Sequence, residues 1–414
     1  MATALRLTSR RLLQPRALAR FQSTLTVPGT AATPPPPQKE TDAPLSRLPT
    51  SSLVRALMLH QITSRPSLLS LGSKVMLKTA DRIDSLAPLK WVVDKSFYAH
   101  FCAGSTPAEI ATTMSYLRSL GYSGIILNYA REVEHAVNAS TAAGLSEIAQ
   151  WREGQLRTIA LTSPGDFVAM KLSGAGSLCL PLLEAQRPCT DVSELIAALD
   201  EICAAAAERG VGLLVDAEQA ALQQGVDKWT LHYMRKFNTG RKAVVYNTYQ
   251  MYLKRSTGVL EAHLKQASQE GWRLGVKLVR GAYLHTDPRE LIHDTKAHTD
   301  AAYDEAADML IKNGVDTVVA SHNKESVTKA LHAARGREKD GMLVFAQLMG
   351  MADDLSLSLV GRAQVLKYAV WGSTGECVKY LLRRAEENRE AVGRSEESYC
   401  AVVNELKRRF GMSA

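Results

Sequence analysis

The sequence has 414 residues, of which 46% are hydrophobic, 22% charged and 6% aromatic. This apolar content supports a large buried core in two or three domains or in one large α/β barrel, and the Pro, Gly and Cys counts exclude collagen-like, disordered and disulfide-scaffold proteins. No uninterrupted apolar run reaches the ~18–20 residues that a spanning helix needs, so we exclude an integral membrane protein and expect a soluble globular chain.

The net charge of +8 does not predict a nucleic-acid partner, because much of it lies at the N-terminus. Five arginines occupy the first twenty residues, the first acidic residue is Glu40, and the rest of the chain carries only about +3. An Arg-rich, acid-free start predicts a mitochondrial transit peptide over residues 1–30, with a disordered basic tail as the alternative. Four consecutive prolines at 34–37 predict a Pro-rich linker over residues 31–50.

Six cysteines are scattered without a C-x-x-C pair, which favours a reducing compartment and argues against a disulfide framework. There is also no H-E-x-x-H spacing, so we predict no metal site.

Residues 51–120 are predicted to form an N-terminal helical segment. Apolar residues recur at spacings of three and four over 51–62 and 107–121. Ser105 or Thr106 before Pro107 predicts an N-cap with proline at the first helical position.

After residue 120, short β-branched apolar runs alternate with helical patterns, which predicts βαβ units and strands buried on both faces. The eight runs are GIILNYA (124–130), FVAMKLS (167–173), VGLLVDAE (211–218), AVVYNTYQ (243–250), LGVKLVRG (274–281), DTVVASHN (316–323), MLVFAQLMG (342–350) and VLKYAVWG (365–372). Eight such units predict a (β/α)8 barrel, with a doubly wound open sheet as the alternative.

Polar residues collect where nearly every predicted strand ends, and this favours the barrel, which brings all its strand ends to one rim. They are Tyr129, Lys171, Asp216, Gln250, Arg280, Tyr283, His322, Asn323, Gln347 and Tyr368. We predict a barrel over residues 121–395 and a C-terminal helical tail over 396–414.

The helix predicted around YLLRRAEEN (380–388) follows the eighth strand directly and so begins at the rim. Helical spacing puts Tyr380, Arg383, Arg384 and Glu387 on one polar face. Adjacent arginines offer several donors to one carboxylate, which predicts an anion site; an ordinary solvated helix with a salt bridge is the alternative.

Three further strand ends are candidates for chemistry. Lys171 and Asp216 could stabilise each other's charge, or the lysine could be a Schiff-base nucleophile. KLVRGAYL (277–284) combines two cations, a glycine and a tyrosine, which suits a phosphate-bearing aromatic cofactor. His322 lies between polar neighbours and is better suited to positioning a cofactor than to a triad, because no G-x-S-x-G is present. Neither a P-loop nor a Rossmann G-x-G-x-x-G occurs.

Taken together, FYAHFCAG (97–104), FVAMKLS, LLVDAEQ (213–219), YNTYQMYLK (246–254), VKLVRGAYL (276–284), ASHNKESV (320–327), FAQLMGM (345–351) and YLLRRAEEN resemble the proline dehydrogenase family of the eukaryotic, fungal, mitochondrial type. The resemblance covers about residues 97–390 in the family's order. It implies a distorted (β/α)8 barrel that binds FAD without a Rossmann motif. It also implies oxidation of L-proline to 1-pyrroline-5-carboxylate, the first step of proline catabolism, by hydride transfer to flavin N5. Electrons would pass to ubiquinone, with peripheral association on the matrix side of the inner mitochondrial membrane.

The resemblance also implies roles for residues. Asp216 and Lys277 would be catalytic, with Lys277 or Arg280 placing positive charge near the flavin. Substrate would be held by Lys171, Tyr368, Tyr380, Arg383 and Arg384, with Glu132 as an acidic partner of Arg383. The cofactor would be bound by Ala217, Gln250, Arg280, Gly281, Ala282, Tyr283, Ser321, His322, Asn323 and Glu387.

Two positions depart from the family pattern. Lys277 stands where bacterial members have an arginine, and YAVWG (368–372) lacks the proline that usually follows the tyrosine. Tyr368 favours proline over hydroxyproline, because a smaller residue would leave room for a ring hydroxyl. The alternatives are a hydroxyproline dehydrogenase of the same family, a cofactor-free barrel lyase using Lys171 or Lys277, and a non-catalytic interaction protein.

Overall fold

The computed structural model describes residues 43–130, 140–336, 341–390 and 392–412. The predicted transit peptide and most of the predicted linker lie outside these ranges, as does Glu132. No helix within the described ranges is both long and apolar enough to cross a bilayer.

Eight parallel strands close into a barrel, which confirms the predicted fold. The nine strands of the sheet are β1 (Cys102–Gly104), β2 (Gly124–Tyr129), β3 (Phe167–Met170), β4 (Gly212–Val215), β5 (Val245–Gln250), β6 (Gly275–Val279), β7 (Asp316–Ala320), β8 (Leu343–Leu348) and β9 (Gln364–Trp371). Strands β2 to β9 pair in sequence order, and β9 pairs with both β8 and β2. Tyr368 of β9 is opposite Leu348 on one side and Ile126 on the other, so the sheet has no open edge there. The open-sheet alternative is therefore wrong.

Strand β1 was not predicted, and it interrupts the segment expected to be helical. It pairs in parallel with the end of β9, with Cys102 opposite Val370. Three residues are too few for a periodicity to appear in the sequence.

Helices separate the strands, as the alternation predicted. Those between β1 and β9 are Pro107–Ser119, Thr141–Leu161, Leu180–Glu184, Ser193–Arg209, Ala220–Phe237, Ser256–Glu270, Lys296–Lys312, Lys324–Ala333 and Asp353–Leu359. Helices Thr50–Thr63, Pro66–Thr79, Ala87–Val93 and the turn Ala99–Phe101 precede the barrel, and Thr374–Glu390 and Val392–Arg409 follow it. The predicted start of the first barrel helix is confirmed: the Thr106 hydroxyl accepts from Glu109 N–H, and the Glu109 carboxylate accepts from Thr106 N–H, with Pro107 at the first helical position.

The strands contain nearly continuous apolar runs because both of their faces are buried. Ile125 faces the surrounding helices and Ile126 faces the barrel interior, yet both are fully buried. Inside the barrel, Phe167, Leu214 and Tyr246 pack in the same cluster as Ile126. The interior of the barrel is thus a packed core, and the polar groups lie at the carboxyl ends of the strands.

The helix after β9, which we call the rim helix (Thr374–Glu390), packs against the N-terminal helices. Its Val378 and Leu381 share one buried cluster with Leu59, Ile83 and Phe101. The N-terminal segment therefore positions this helix, and with it the polar side chains that the helix presents to the barrel mouth.

Candidate active site

A large cavity of about 2010 Å³ opens at the carboxyl ends of the strands. Lys171, Asp216, Lys277 and Tyr368 line it from the barrel, and Arg384 lines it from the rim helix. The fold thus brings the predicted polar strand ends to one rim, which is where (β/α)8 enzymes carry their active sites.

The floor of the cavity is a three-residue network centred on Asp216. Lys277 Nζ lies 2.5 Å from Asp216 Oδ1, and the Tyr368 hydroxyl donates to Asp216 Oδ2 at 2.9 Å. The ammonium group of Lys277 also lies 5.1 Å from the centre of the Tyr368 ring. Burial, followed by the charge of Asp216, raises the pKa of Tyr368 well above its usual value, so its hydroxyl stays protonated and donates to the carboxylate.

The structure pairs Asp216 with Lys277, whereas the sequence had suggested Lys171. Lys171 lies instead over the ring of Tyr283, 6.0 Å from its centre, and close to the carboxylate of Glu218. Asp216 directly follows β4 and Lys277 lies in β6. These strands are not adjacent, but side chains that point across the barrel interior meet without regard to strand order.

Glu218 is a buried carboxylate that the sequence reasoning missed. It is 4% exposed and accepts from the Ser173 N–H at 3.1 Å and from the Ser173 hydroxyl at 2.8 Å. Burial raises the pKa of its carboxyl, while the charge of Lys171 acts in the opposite direction. The available signal was its place two residues after Asp216, at the end of the same strand.

The rim helix presents an arginine with unused donor capacity. Arg384 Nη2 lies 2.5 Å from Glu387 Oε1, and the guanidinium lies 5.1 Å from the centre of the Tyr380 ring. Arg384 Nε and the Tyr380 hydroxyl are buried and have no hydrogen-bond partner among the described residues. Arg383 lines the same cavity. Buried donors of this kind fit an anionic ligand.

Two hydrogen bonds hold the start of the rim helix in place. The Tyr129 hydroxyl donates to Glu376 Oε1 at 2.6 Å, and the Tyr98 hydroxyl donates to the carbonyl of Gly372 at 2.5 Å. The polar residue that ends β2 therefore anchors the helix that carries Arg384.

Hydrogen bonds hold four predicted cofactor residues, Ala217, Gln250, Ala282 and Tyr283, at the barrel mouth. Gln250 Nε2 donates to the carbonyl of Glu218 at 2.9 Å, and Gln250 Oε1 accepts from Ala282 N–H at 3.2 Å. The Tyr283 hydroxyl donates to the carbonyl of Ala217 at 3.3 Å. These bonds join the ends of β4, β5 and β6 into one wall of the cavity.

Gly281 lies in this wall because no side chain fits there. A Cβ on Gly281 would overlap the ring of Tyr252, whose hydroxyl donates to Asp287. The φ angle of +155° is one that L-residues rarely adopt.

Arg280 lines the cavity, but its guanidinium group is hydrogen-bonded to one carboxylate and two hydroxyls of the protein. Its Nε donates to Asp300 at 2.9 Å, and its two terminal nitrogens donate to the hydroxyls of Ser321 at 2.6 Å and Ser326 at 2.7 Å. The guanidinium also stacks on the ring of Tyr303, 4.4 Å from its centre. Of the two cations suggested for the flavin, Lys277 is therefore the one held inside the barrel.

The polar end of β7 is structurally tied to its neighbours. His322 Nε2 accepts from the N–H of Leu348 at 3.1 Å. Asn323 caps the helix Lys324–Ala333, with its Oδ1 accepting from Ser326 N–H at 3.0 Å. Gln347 Nε2 donates to the carbonyl of Ser321, while Gln347 Oε1 is buried without a partner among the described residues.

These features are those of a (β/α)8-barrel enzyme with an arginine-bearing helix at its mouth. A family model described as proline dehydrogenase matches residues 110–397, which is more than half of the chain. The chain therefore belongs to the proline dehydrogenase family, and the predicted resemblance and the prediction of an oxidoreductase of this class are confirmed.

Relatives of the chain include a protein from the fission yeast Schizosaccharomyces pombe named as a probable mitochondrial proline dehydrogenase. The two are 32% identical over 87% of this chain and 88% of the relative. A hydroxyproline dehydrogenase from Xenopus laevis is 29% identical over 86% of this chain and 87% of its own length.

The fold is similar to that of a solved structure of proline utilization A from Bdellovibrio bacteriovorus. The TM-score is 0.63 at 18% identity, and the match covers 82% of this chain. The chain spans 41% of the length of that larger protein.

Proposed function

We propose that this protein oxidises L-proline to 1-pyrroline-5-carboxylate with FAD as its cofactor. The observation that carries the proposal is that Arg384 and Tyr380 bring unsatisfied buried donors into the cavity whose floor is Asp216, Lys277 and Tyr368. One end of the cavity is thus suited to a carboxylate, and the other to a small ring that must be held in one orientation.

Substrate binding begins at the rim helix in this proposal. Arg384 and Arg383 hold the carboxylate of proline, and an arginine fork fixes both its position and its direction. Tyr380 and Tyr368 then close over the ring, while Lys171 and the Asp216–Lys277 pair frame it from the barrel. Glu387 keeps the Arg384 side chain in place before substrate arrives, through the contact at 2.5 Å.

The reaction removes a hydride from the ring carbon next to nitrogen and a proton from the nitrogen, which leaves a C=N bond. Bound FAD supplies the hydride acceptor, its N5 atom. The residues of this chain contribute orientation, because a substrate fixed at both its carboxylate and its ring reaches the reactive geometry far more often than a free one. The positive charge of Lys277, inside the barrel, would stabilise negative charge on the acceptor.

The residues present fit such a cofactor. A cavity of about 2010 Å³ is much larger than proline alone requires. Its wall includes the Gln250–Ala282 bond, the glycine at 281, and the predicted positions Ser321, His322 and Asn323. We therefore assign this wall to FAD, with Ala217, Arg280, Tyr283 and Glu387 as further contributors.

Two observations bear on the alternatives. Lys277 Nζ is held by the buried carboxylate of Asp216, so this nitrogen is not presented to a carbonyl substrate as a Schiff-base nucleophile requires. The family match also favours an oxidoreductase over a lyase. Tyr368 is a large side chain held by Asp216 at a position where a smaller residue would leave room for a ring hydroxyl, which favours proline over hydroxyproline.

We further propose that electrons pass to ubiquinone and that the protein works on the matrix side of the inner mitochondrial membrane as a peripheral protein. The mitochondrial naming of the yeast relative supports the compartment. The Arg-rich stretch at residues 1–30 is consistent with import.

The test is a visible absorption spectrum of the purified protein, recorded before and after L-proline is added without oxygen. We expect flavin bands that bleach with proline and change much less with hydroxyproline. Flavin bands that proline leaves unchanged would refute the substrate, and a folded protein that cannot take up FAD would refute the cofactor. A protein reduced faster by hydroxyproline would favour the hydroxyproline alternative.

A further inference from the structure

The helices that precede the barrel carry most of the exposed apolar surface. Ten of the fourteen large hydrophobic side chains that are exposed in the described part of the chain lie between residues 54 and 92. Scattered single residues of this kind are ordinary, but such a concentration in one short stretch indicates a docking surface.

The helix Pro66–Thr79 shows the pattern most clearly. Leu68, Leu71 and Val75 are spaced by three and four residues and so share one exposed face, on which Leu71 is 62% exposed. At 100° per residue, Lys74 and Lys78 lie along the edge of that face. An apolar face bordered by lysines is typical of a helix that lies in a membrane interface.

The neighbouring helices repeat the feature. Val54, Met58 and Ile62 follow one another at spacings of four on the exposed side of Thr50–Thr63. Trp91 is 64% exposed, whereas the other four tryptophans of the chain are buried. Tryptophan at a surface of this kind is characteristic of the membrane–water interface. We call the exposed apolar residues from 54 to 92 the N-terminal docking surface.

The segment that carries the docking surface is also positively charged. Residues 43–101 contain eight Lys and Arg but only three acidic residues, and the first of those is Asp81. A surface that is both apolar and cationic complements an anionic lipid headgroup layer. A second copy of this chain would bring the same positive charge to the contact, which disfavours self-association through it.

We infer that the N-terminal docking surface binds the surface of an anionic lipid bilayer. The inference rests on the proposed function in one respect, namely that a membrane-held quinone receives the electrons. Leu59 of the helix Thr50–Thr63 and Val378 of the rim helix lie in one buried cluster, so docking would hold the cavity mouth in a defined position relative to the lipid.

Binding is measured by vesicle flotation of the full chain as purified flavoprotein, with phosphatidylcholine vesicles that contain or lack phosphatidylglycerol. We expect flotation only with the anionic vesicles. Leu68→Ser with Leu71→Ser should lower vesicle affinity by about tenfold or more, because both substitutions remove apolar area that would be buried in the lipid. Lys74→Glu with Lys78→Glu should lower it by at least roughly fivefold for each lysine removed.

Leu291→Ser is the matched control, because Leu291 is an exposed leucine outside the docking surface. It should float like the unchanged protein. Intrinsic fluorescence gives a second readout: anionic vesicles should shift the emission to the blue in the unchanged protein and leave it unchanged in Trp91→Phe.

Proline oxidation with a soluble dye as acceptor separates this inference from the proposed function. The leucine variant should keep its dye-linked activity and lose activity with ubiquinone held in anionic vesicles. Flotation of the leucine variant equal to that of the control would overturn the docking surface, as would dimers of the unchanged protein that dissociate on these substitutions. Absence of dye-linked activity in a protein that still floats would count against the proposed function alone.

Discussion

The pairing of Lys277 with Asp216 makes a quantitative prediction about stability. The two side chains are 9% and 12% exposed, and their charged atoms lie 2.5 Å apart. Lys277→Met leaves the Asp216 carboxylate buried without its cation, and Asp216→Asn leaves the ammonium group without its anion. Each single substitution should lower the free energy of unfolding by about 3–5 kcal/mol, the usual cost of breaking a buried ion pair.

The double variant Asp216→Asn with Lys277→Met should lose much less than the sum of the two single losses, because no charge is left uncompensated. We expect the cycle to show a coupling of at least about 2 kcal/mol. Urea unfolding of all four proteins, followed by tryptophan fluorescence, measures it.

The pair Lys236–Asp200 is the matched control. Its charged atoms are 2.8 Å apart, but its side chains are 48% and 41% exposed. Solvent screens such a pair, so the same cycle should give a coupling of only about 0.2–1 kcal/mol. Additivity within about 0.5 kcal/mol at the buried pair would contradict the predicted coupling, since it would mean that the two charges do not depend on each other.

Three further predictions concern the cavity. Arg384→Lys keeps the positive charge but loses the paired N–H donors of the guanidinium group, so the KM for proline should rise by roughly ten- to a hundredfold with a smaller change in kcat. An unchanged KM would rule out binding of the proline carboxylate by Arg384. Burial raises the pKa of the Glu218 carboxyl, so the folded protein loses stability as the pH rises from about 4.5 through that raised pKa. In urea unfolding, Glu218→Gln should therefore gain stability relative to the unchanged protein over this pH range. A stability difference that does not vary with pH would contradict the raised pKa. Gly281→Ala should lose bound flavin in the absorption spectrum because its methyl group overlaps Tyr252, whereas Gly258→Ala, which meets nothing within 4 Å, should keep its flavin and gain up to about 1 kcal/mol.

The eight strands of the barrel could be predicted because each is buried on both faces. Runs such as 124–130 and 365–372 contain few polar residues before their ends, and this pattern does not depend on what the strand packs against. The cap at Thr106 was equally local, since its partners lie within three residues. Strand β1 escaped prediction because its pairing with β9 is the only thing that makes its three residues a strand.

Most residues of the candidate site could be predicted, but the hydrogen bonds and ion pairs that they form could not. Lys171, Asp216 and Lys277 were all recognised, yet the ion pair formed between Asp216 and Lys277. Arg280 was expected to present its charge to the cofactor, and the structure directs it to Asp300 and two serine hydroxyls. Which of these contacts form depends on the side of a strand that a residue occupies and on the distance across the barrel. The spacing of residues along the chain gives neither of these.

Local burial patterns and motifs were thus enough to predict the alternation of strands and helices, the closed barrel, the family and the residues gathered at the rim. The tertiary structure was needed to show that the N-terminal helices hold the rim helix, that Glu218 is buried against Ser173, and that Arg384 keeps a buried donor without a partner among the described residues. The physical reason is that hydrogen bonds and ion pairs act over a few ångströms in space. The residues they join here lie up to hundreds of positions apart in the chain.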